Sequence, residues 1–272
     1  IAAPEISDTT IHIAGSAYAD NRKDLVYFAH LANTNITQAA LVADRATVGS
    51  DSYYTAFFAG GIKITDPTTG LVKEISEIGD VLGIMAVTDE FGEWFSPAGT
   101  NRGVIKNALG VVNNFGTNAK FADLNVLANR QINMVVQKDG LIYLNGNYSA
   151  VLSNSKLSFL SAVRFLIWLQ KSLTPTCKRY LQEPADIPTF KALFREVEPF
   201  LNNLITERAI YSYRWMGDQD IAKIEDVIIN NLTDLDNGKY KVKLFLKIIP
   251  SLQEIEVDLV VTATSVNFEN IN

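Results

Sequence analysis

The feature that most restricts how this chain can fold lies near its C-terminal end, where apolar and charged residues alternate through two successive segments. In residues 239–248, Tyr240, Val242, Leu244, Leu246 and Ile248 share one face, and Lys239, Lys241, Lys243 and Lys247 share the other. After Pro250-Ser251 the alternation returns with opposite charge: Ile255, Val257, Leu259 and Val261 on one side, Glu254, Glu256 and Asp258 on the other. A period of two puts successive side chains on opposite faces of a strand, so both segments read as half-buried strands. Lys paired against Glu across the ladder would add about 0.2–1 kcal/mol per pair and favours an antiparallel hairpin. Residues 224–232, joined to Lys239 through the Asp234-to-Gly238 turn, supply a third strand and complete a meander.

Upstream, the pattern mixes both periodicities. A strand is expected near residues 24–30, then a helix capped by Thr34 or Asn35, whose side chains can accept from an early helical amide. The aromatic and β-branched run 53–64 reads as a strand ending at Asp66-Pro67 and Gly70, with a short partner strand at 71–75. Phe121, Leu124 and Ala128 recur at helical spacing; Ile132, Met134 and Val136 then alternate up to the turn Lys138-Asp139-Gly140. Phe190, Leu193, Phe194, Val197, Leu201, Leu204 and Ile205 repeat as one helical face behind the start signals Asp186 and Pro188, and Pro199 inside that face should kink the helix. The fold class expected is α/β (α+β): a mixed β-sheet flanked by helices, with a C-terminal antiparallel meander. Residues 1–115 form an N-terminal α/β part, and residues 116–272 carry the C-terminal helices and antiparallel sheet, packed with part of the N-terminal region as one core.

With 272 residues, 47% of them hydrophobic and 20% charged, the chain can bury a substantial core. A net charge of −6 disfavours wrapping nucleic acid or sitting on anionic lipid. The most apolar stretch, 157–169, is interrupted by Arg164 and is shorter than the roughly 20 apolar residues that span a bilayer. One cysteine, Cys177, excludes an intramolecular disulfide framework, fits a reducing cytoplasm, and is expected to be a small buried residue. The chain opens at Ile1 with neither an initiator methionine nor a signal segment, so a processed chain or an excised fragment is expected.

Catalytic and metal-binding patterns are weak. His12 and His30 sit in strand-like apolar surroundings without metal-ligand partners at usable spacing and read as structural. Phosphate loops, dinucleotide fingerprints and nucleophile elbows are absent from the sequence. A Cys-His dyad on Cys177 is a minor alternative. Asp218, Asp220, Glu225 and Asp226 read as a solvated connection, and the Asp234-x-Asp236-Asn237-Gly238 run fails as a calcium loop because Phe245 stands where the bidentate carboxylate belongs. Arg164, Trp168 and Lys171 share a helix face that reads as solvated surface with a stacked arginine rather than a nucleic-acid contact. The sequons at Asn35, Asn147 and Asn231 are what an Asn-rich chain yields by chance.

Several blocks, taken in order, resemble the tail sheath proteins of contractile-tailed phages. They are Tyr53-Tyr54-Thr55-Ala56-Phe57-Phe58, then Val81-Leu82-Gly83-Ile84-Met85-Ala86, then the run from Thr88-Asp89 through Gly92-Glu93-Trp94 to Pro97-Ala98-Gly99. Leu124-Asn125, Ile132-Asn133, Gly140 and Gly146 follow, and Val163-Arg164, Glu183-Pro184, Pro199-Phe200-Leu201 and the terminal strands resemble the family's C-terminal half. The resemblance spans roughly residues 50–265. It departs at residues 75–79, where the family carries Pro-Pro-Ser-Gly, and at 145–150, which lack a Trp-Gly-Ala-Arg-Thr run; both point to a divergent branch such as the sheaths of very large phages.

The resemblance implies a structural subunit, not an enzyme, that stacks in rings around a tail tube and contracts to drive the tube into the host cell. Its implied partners are other copies of itself in a helical sheath, the tail tube protein and the baseplate, with no direct nucleic-acid contact, no membrane insertion and no cofactor. Its implied location is the phage tail of the virion, assembled in the host cytoplasm. The family's terminal arms are expected to be shortened or missing here. The strand edge carrying Glu254, Glu256, Asp258, Val260 and Thr262 is the candidate inter-subunit site, because an open edge can accept a neighbour's strand. The competing readings are a hydrolase using Cys177 or the acidic residues around Asp218, and a monomeric receptor- or glycan-binding module with Trp94 and Trp215 lining a pocket; the two tryptophans are expected to pack in the core instead.

Overall fold

A computed structural model describes residues 1–35, 37–153, 155–216 and 237–251. Its centre is a four-stranded mixed sheet of β1 (Tyr27–His30), β2 (Thr55–Ala59), β6 (Ile132–Lys138) and β7 (Leu141–Asn145), ordered β1-β2-β6-β7. β1, β2 and β6 run parallel, and β7 returns antiparallel to β6. Every residue of β1 and β2 is buried, which explains why these segments read as continuous apolar runs: a parallel sheet is covered on both faces. Along β2 the side chains divide between two cores. Ala56 and Phe58 pack with Ile78, Val81 and Met85 of α3 (Ile78–Asp89), while Phe57 and Ala59 pack with Leu41 and Val48 of α2 (Gln38–Val48) and Leu127 of α4 (Phe121–Asn129). Ala19 of α1 (Thr9–Arg22) joins the second core.

The run 53–64 forms two strands rather than one. Gly60 and Gly61 adopt positive φ values of 126° and 58°, and a Cβ on Gly60 would fall 2.6 Å from the Val135 carbonyl oxygen. This glycine pair lets the chain leave the central sheet tight against β6. It then enters a three-stranded antiparallel sheet, β4 (Val72–Ile75), β3 (Ile62–Thr65) and β5 (Gly110–Val111), in that order. The β3–β4 pairing and the β6–β7 hairpin match the sequence expectation. The hairpin register Lys138↔Leu141 leaves Asp139 and Gly140 at φ 51° and 80°, the two left-handed residues of a type I′ turn.

Helix α2 starts later than expected. Its N-cap is Thr37, whose hydroxyl accepts from the Ala40 amide, because Thr34 and Asn35 lie in a turn held by tertiary bonds. Asn113 donates to the Asn33 and Asn35 carbonyls, and the Asn35 amide donates to Asp44. His12 belongs to α1, capped by Asp8, and not to a strand-like segment.

A third core lies between α5 (Leu160–Arg179), α6 (Ile187–Thr206) and a two-stranded antiparallel sheet of β8 (Ile210–Met216) and β9 (Lys243–Ile248). α6 begins at the Asp186 cap with Pro188 in its first turn, as read, and runs through Pro199 without interruption. In β9, Leu244, Leu246 and Ile248 pack inward and Lys243, Phe245 and Lys247 are exposed, as the alternation predicts, but the strand starts only at Lys243 and residues 239–242 of the expected strand lie outside it. Its described partner is β8; the segments read as strands at 224–232 and 252–262 lie outside the described residues. Trp94 and Trp215 both pack against this third core. Cys177, expected to be buried, is exposed, because its position on α5 turns away from the face that packs on α6.

Candidate functional site

The residues expected to form the inter-subunit edge, Glu254, Glu256, Asp258, Val260 and Thr262, lie outside the described residues. The structure does describe the point from which that segment departs. The end of β9 is tied back to the body by Ile249 N–H donating to the Ala209 carbonyl. Two residues later Ser251 meets a buried polar cluster: Asn147 Nδ2 donates to Ser161 Oγ at 2.8 Å and lies 3.5 Å from Ser251 Oγ. Asn147 Oδ1 accepts from the Ser161 amide and its carbonyl accepts from the Leu160 amide, so one asparagine satisfies two otherwise unpaired donors in the first turn of α5. The sequon at Asn147 is thereby structural, its side chain being buried.

A second polar group, hidden in the core, was only half legible in the sequence. His12 Nε2 donates to the His30 carbonyl at 2.8 Å, and because a carbonyl can only accept, the Tyr27 hydroxyl donates to His12 Nδ1 at 2.9 Å. His30 Nδ1 donates to Glu77 Oε1 at 3.1 Å, and Glu77 Oε2 accepts from the Gly61 amide at 3.1 Å. Glu77 is 0% exposed and His30 3%. The chain Tyr27–His12–His30–Glu77–Gly61 therefore connects α1, β1, the start of α3 and the turn between β2 and β3. No pattern in the sequence marked Glu77; its partner lies 47 positions away. A His–carboxylate pair is also the orienting half of a nucleophilic triad, but no serine or cysteine is bonded to either histidine among the described contacts.

The two histidines titrate in opposite senses. Burial opposes protonation of His30, but the hydrogen bond and charge of Glu77 outweigh it and raise its pKa above the ordinary 6.5. Its stabilising contribution is complete below pH 6.5 and is lost as pH rises through the raised folded value. Burial holds His12 below 6.5, so its contribution is complete above that pH and is lost as pH falls through the depressed folded value. Thermal unfolding followed against pH should show His30→Gln removing part of the alkaline decline of wild type. Superimposable alkaline limbs for wild type and variant would refute this account of the pair.

The other candidates separate in space. Arg164 does not lie on a solvated face: it pairs with Asp89 at the end of α3, while Trp168 packs among Trp94, Phe165 and Phe200. That joint between α3 and α5 was not legible, since its ion pair spans 75 residues. Cys177 lies on the exposed side of α5, and partial desolvation pushes its thiol up, away from the reactive thiolate. Asp218, Asp220, Glu225, Asp226, Asp234 and Asp236 lie outside the described residues. Among the described residues there is no group of three or more His, Cys, Asp or Glu arranged to hold a metal ion, and no helix long and apolar enough to cross a membrane.

Comparison with known proteins gives one consistent answer. No protein-family model matches the chain. The tail sheath protein of Vibrio phage KVP40 is 27% identical over 195 residues, which is 71% of this chain and 27% of that protein. The tail sheath protein of Enterobacteria phage T4 is 25% identical over 194 residues, 71% of this chain and 28% of its own length. The matches therefore span about a quarter of these relatives. Among solved structures, the helical sheath of the anti-feeding prophage in its contracted state superposes with a TM-score of 0.73 at 16% identity, covering 94% of this chain and 68% of that one. The sheath complex of an extracellular contractile injection system, also contracted, gives 0.69 at 15% identity, with coverage of 86% and 63%. The mixed α/β fold is that of contractile sheath proteins, and the sequence is similar to phage tail sheaths.

Proposed function

We propose that this chain is the core of a contractile tail sheath subunit, which polymerises around a tail tube and contracts to drive the tube into a host cell. The observation that carries the reading is the coincidence of two independent likenesses: sequence similarity to phage tail sheaths over 71% of the chain, and a sheath fold over 94% of it. A structural similarity of the same order to the baseplate of the anti-feeding prophage, TM-score 0.72, supports a subunit that also meets a baseplate. The tube is the third partner in this reading, the subunit touches no nucleic acid, and it performs no catalysis. It resides in the virion tail and assembles in the host cytoplasm.

The division at residue 115 into an N-terminal α/β part and a C-terminal part belongs to the same proposal, supported by the β2–β6 pairing that makes the two parts share one sheet. So does the strand edge. The segment following Ser251, with Glu254, Glu256, Asp258, Val260 and Thr262 along one side, acts as the joint between neighbouring subunits. Main-chain hydrogen bonds across such a joint persist while the rigid cores rotate. The approach of Ser251 to Asn147 and Ser161, 3.5 Å in each case, supports this by placing the root of the joint against the core.

The test is assembly. The full-length subunit should form tubes or polysheaths visible by negative-stain electron microscopy, and removing residues 252–272 should leave soluble, folded particles that no longer polymerise. Undiminished tubes from the truncated subunit would eliminate the strand-edge joint, and a full-length subunit that stays monomeric would eliminate the sheath reading itself.

A further inference from the structure

Among the described residues the outer face of the β8–β9 sheet is exposed at Arg214, Lys243, Phe245 and Lys247 and buried at Met216, and its charged side chains are of one sign. Arg214 and Phe245 stand opposite each other in the register, as do Ser212 and Lys247, and Lys243 lies opposite Met216 at the far end. Phe245 is 52% exposed and Tyr211, at the bulge beside Ser212, is 65% exposed. No described ion pair engages Arg214, Lys243 or Lys247. Among the described residues, two exposed aromatic rings stand with three cations and no acid between them, a sheet face suited to an acidic and partly apolar partner.

A surface of complementary chemistry exists on the same chain. Between the loop that ends α3 and the C-terminal half of α6 lies a cleft of about 620 Å³. Its floor is aromatic, formed by Trp94, Trp168 and Phe200, and its rim is acidic, formed by Glu90, Glu93 and Glu207. Asp89 also borders it but is already paired with Arg164. Burial, with Asp89 nearby, pushes the Glu93 carboxyl above the usual carboxylate range, a penalty that an entering cation would relieve. Aromatic faces flanked by carboxylates hold ammonium and guanidinium groups by cation–π attraction and ion pairing together.

We propose that the basic outer face of the β8–β9 sheet docks into the acidic, aromatic-floored cleft of a second copy of this chain. This rests on the reading that the chain assembles with itself, and adds a contact that does not use the terminal strand edge. The two surfaces are different patches of one molecule, so the contact is heterologous: each copy offers its cleft to one neighbour and its sheet face to another, and the arrangement repeats. Charge complementarity fixes the direction of stacking, because turning a copy around would set cation against cation.

Charge reversal tests the contact. In sedimentation velocity of the intact chain, Lys243→Glu with Lys247→Glu should weaken self-association at least about tenfold, and Glu90→Lys with Glu207→Lys should do the same. A chain carrying all four changes should recover to within about threefold of wild type, since the signs are exchanged but still complementary. All four residues are exposed, so thermal unfolding should stay unchanged. The proposal is overturned if neither pair weakens association, if the fourfold variant fails to recover, or if wild type does not self-associate. It is also overturned if the sheet face instead retains a short DNA duplex in a manner lost in Lys243→Glu/Lys247→Glu. Tubes of the full-length subunit that form equally well in every variant would remove this contact while leaving the sheath reading intact; failure of wild type to form tubes would remove that reading.

Discussion

Below pH 6.5, where His30 is protonated, replacing Glu77 by alanine is expected to lower the unfolding free energy by about 3–5 kcal/mol, the usual cost of breaking a buried charged pair by deleting one partner. The carboxylate holds two groups at once: its Oε1 receives the His30 ring proton and its Oε2 receives the Gly61 amide. Both are shielded from water, so neither can be re-solvated when the carboxylate is removed. The Gly61 amide matters particularly, because it sits in the left-handed turn that carries the chain from the central sheet into the β3–β4–β5 sheet. Glu77→Gln keeps an acceptor for the amide but loses the charge facing His30, and should cost about 1–3 kcal/mol. Urea unfolding followed by circular dichroism measures both. An alanine variant within 1 kcal/mol of wild type would mean that the pair is energetically idle, contrary to the linkage drawn above.

Phe57→Ala is expected to be as severe, at about 3–5 kcal/mol. Phe57 is fully buried in the second strand of the central sheet, between Ala29 of β1 and Ile132 of β6 in the ladder. Its ring also carries the Arg45 guanidinium, 5.1 Å from its centroid, while Arg45 Nη2 donates to the Ala150 carbonyl at 2.5 Å. Deleting the ring opens a cavity and strips a buried cation of its stacking surface. Phe245→Ala provides the contrast: that ring is half exposed on the outer sheet face, and its loss should change monomer stability by less than about 0.5 kcal/mol. If sheath assembly uses that face, Phe245→Ala should impair association while leaving the melting temperature intact. With total stability near 5–15 kcal/mol, either Glu77→Ala or Phe57→Ala alone would consume a large share and reduce soluble yield. Equal stability losses for Phe57→Ala and Phe245→Ala would contradict the division between core and contact face.

What was legible in the residues follows from periodicity and turn chemistry, which act locally. The alternation in β9, the Asp139-Gly140 hairpin and the Asp186–Pro188 start of α6 each depend on a few neighbouring positions; the hairpin and the helix start lie at the expected residues, and the strand takes up only the 243–248 part of the alternating run. Local signals lose their force where distant groups compete for the same residues. Thr34 and Asn35 are good helix caps by type, but Asn113 and Asp44 hold that turn and the cap falls to Thr37. The run 53–64 is uniformly strand-forming, and only the approach of Val135 to Gly60 reveals why it divides between two sheets.

The sequence alone determined the class of the fold and, through its ordered blocks, the likeness to tail sheaths. Tertiary structure alone decided the pairing of Glu77 with His30, the joint of Arg164 with Asp89, and the opposed basic and acidic surfaces. The physical reason is range: periodic patterns report which face of an element meets water, whereas a carboxylate's partner is set by how elements separated by dozens of residues pack together.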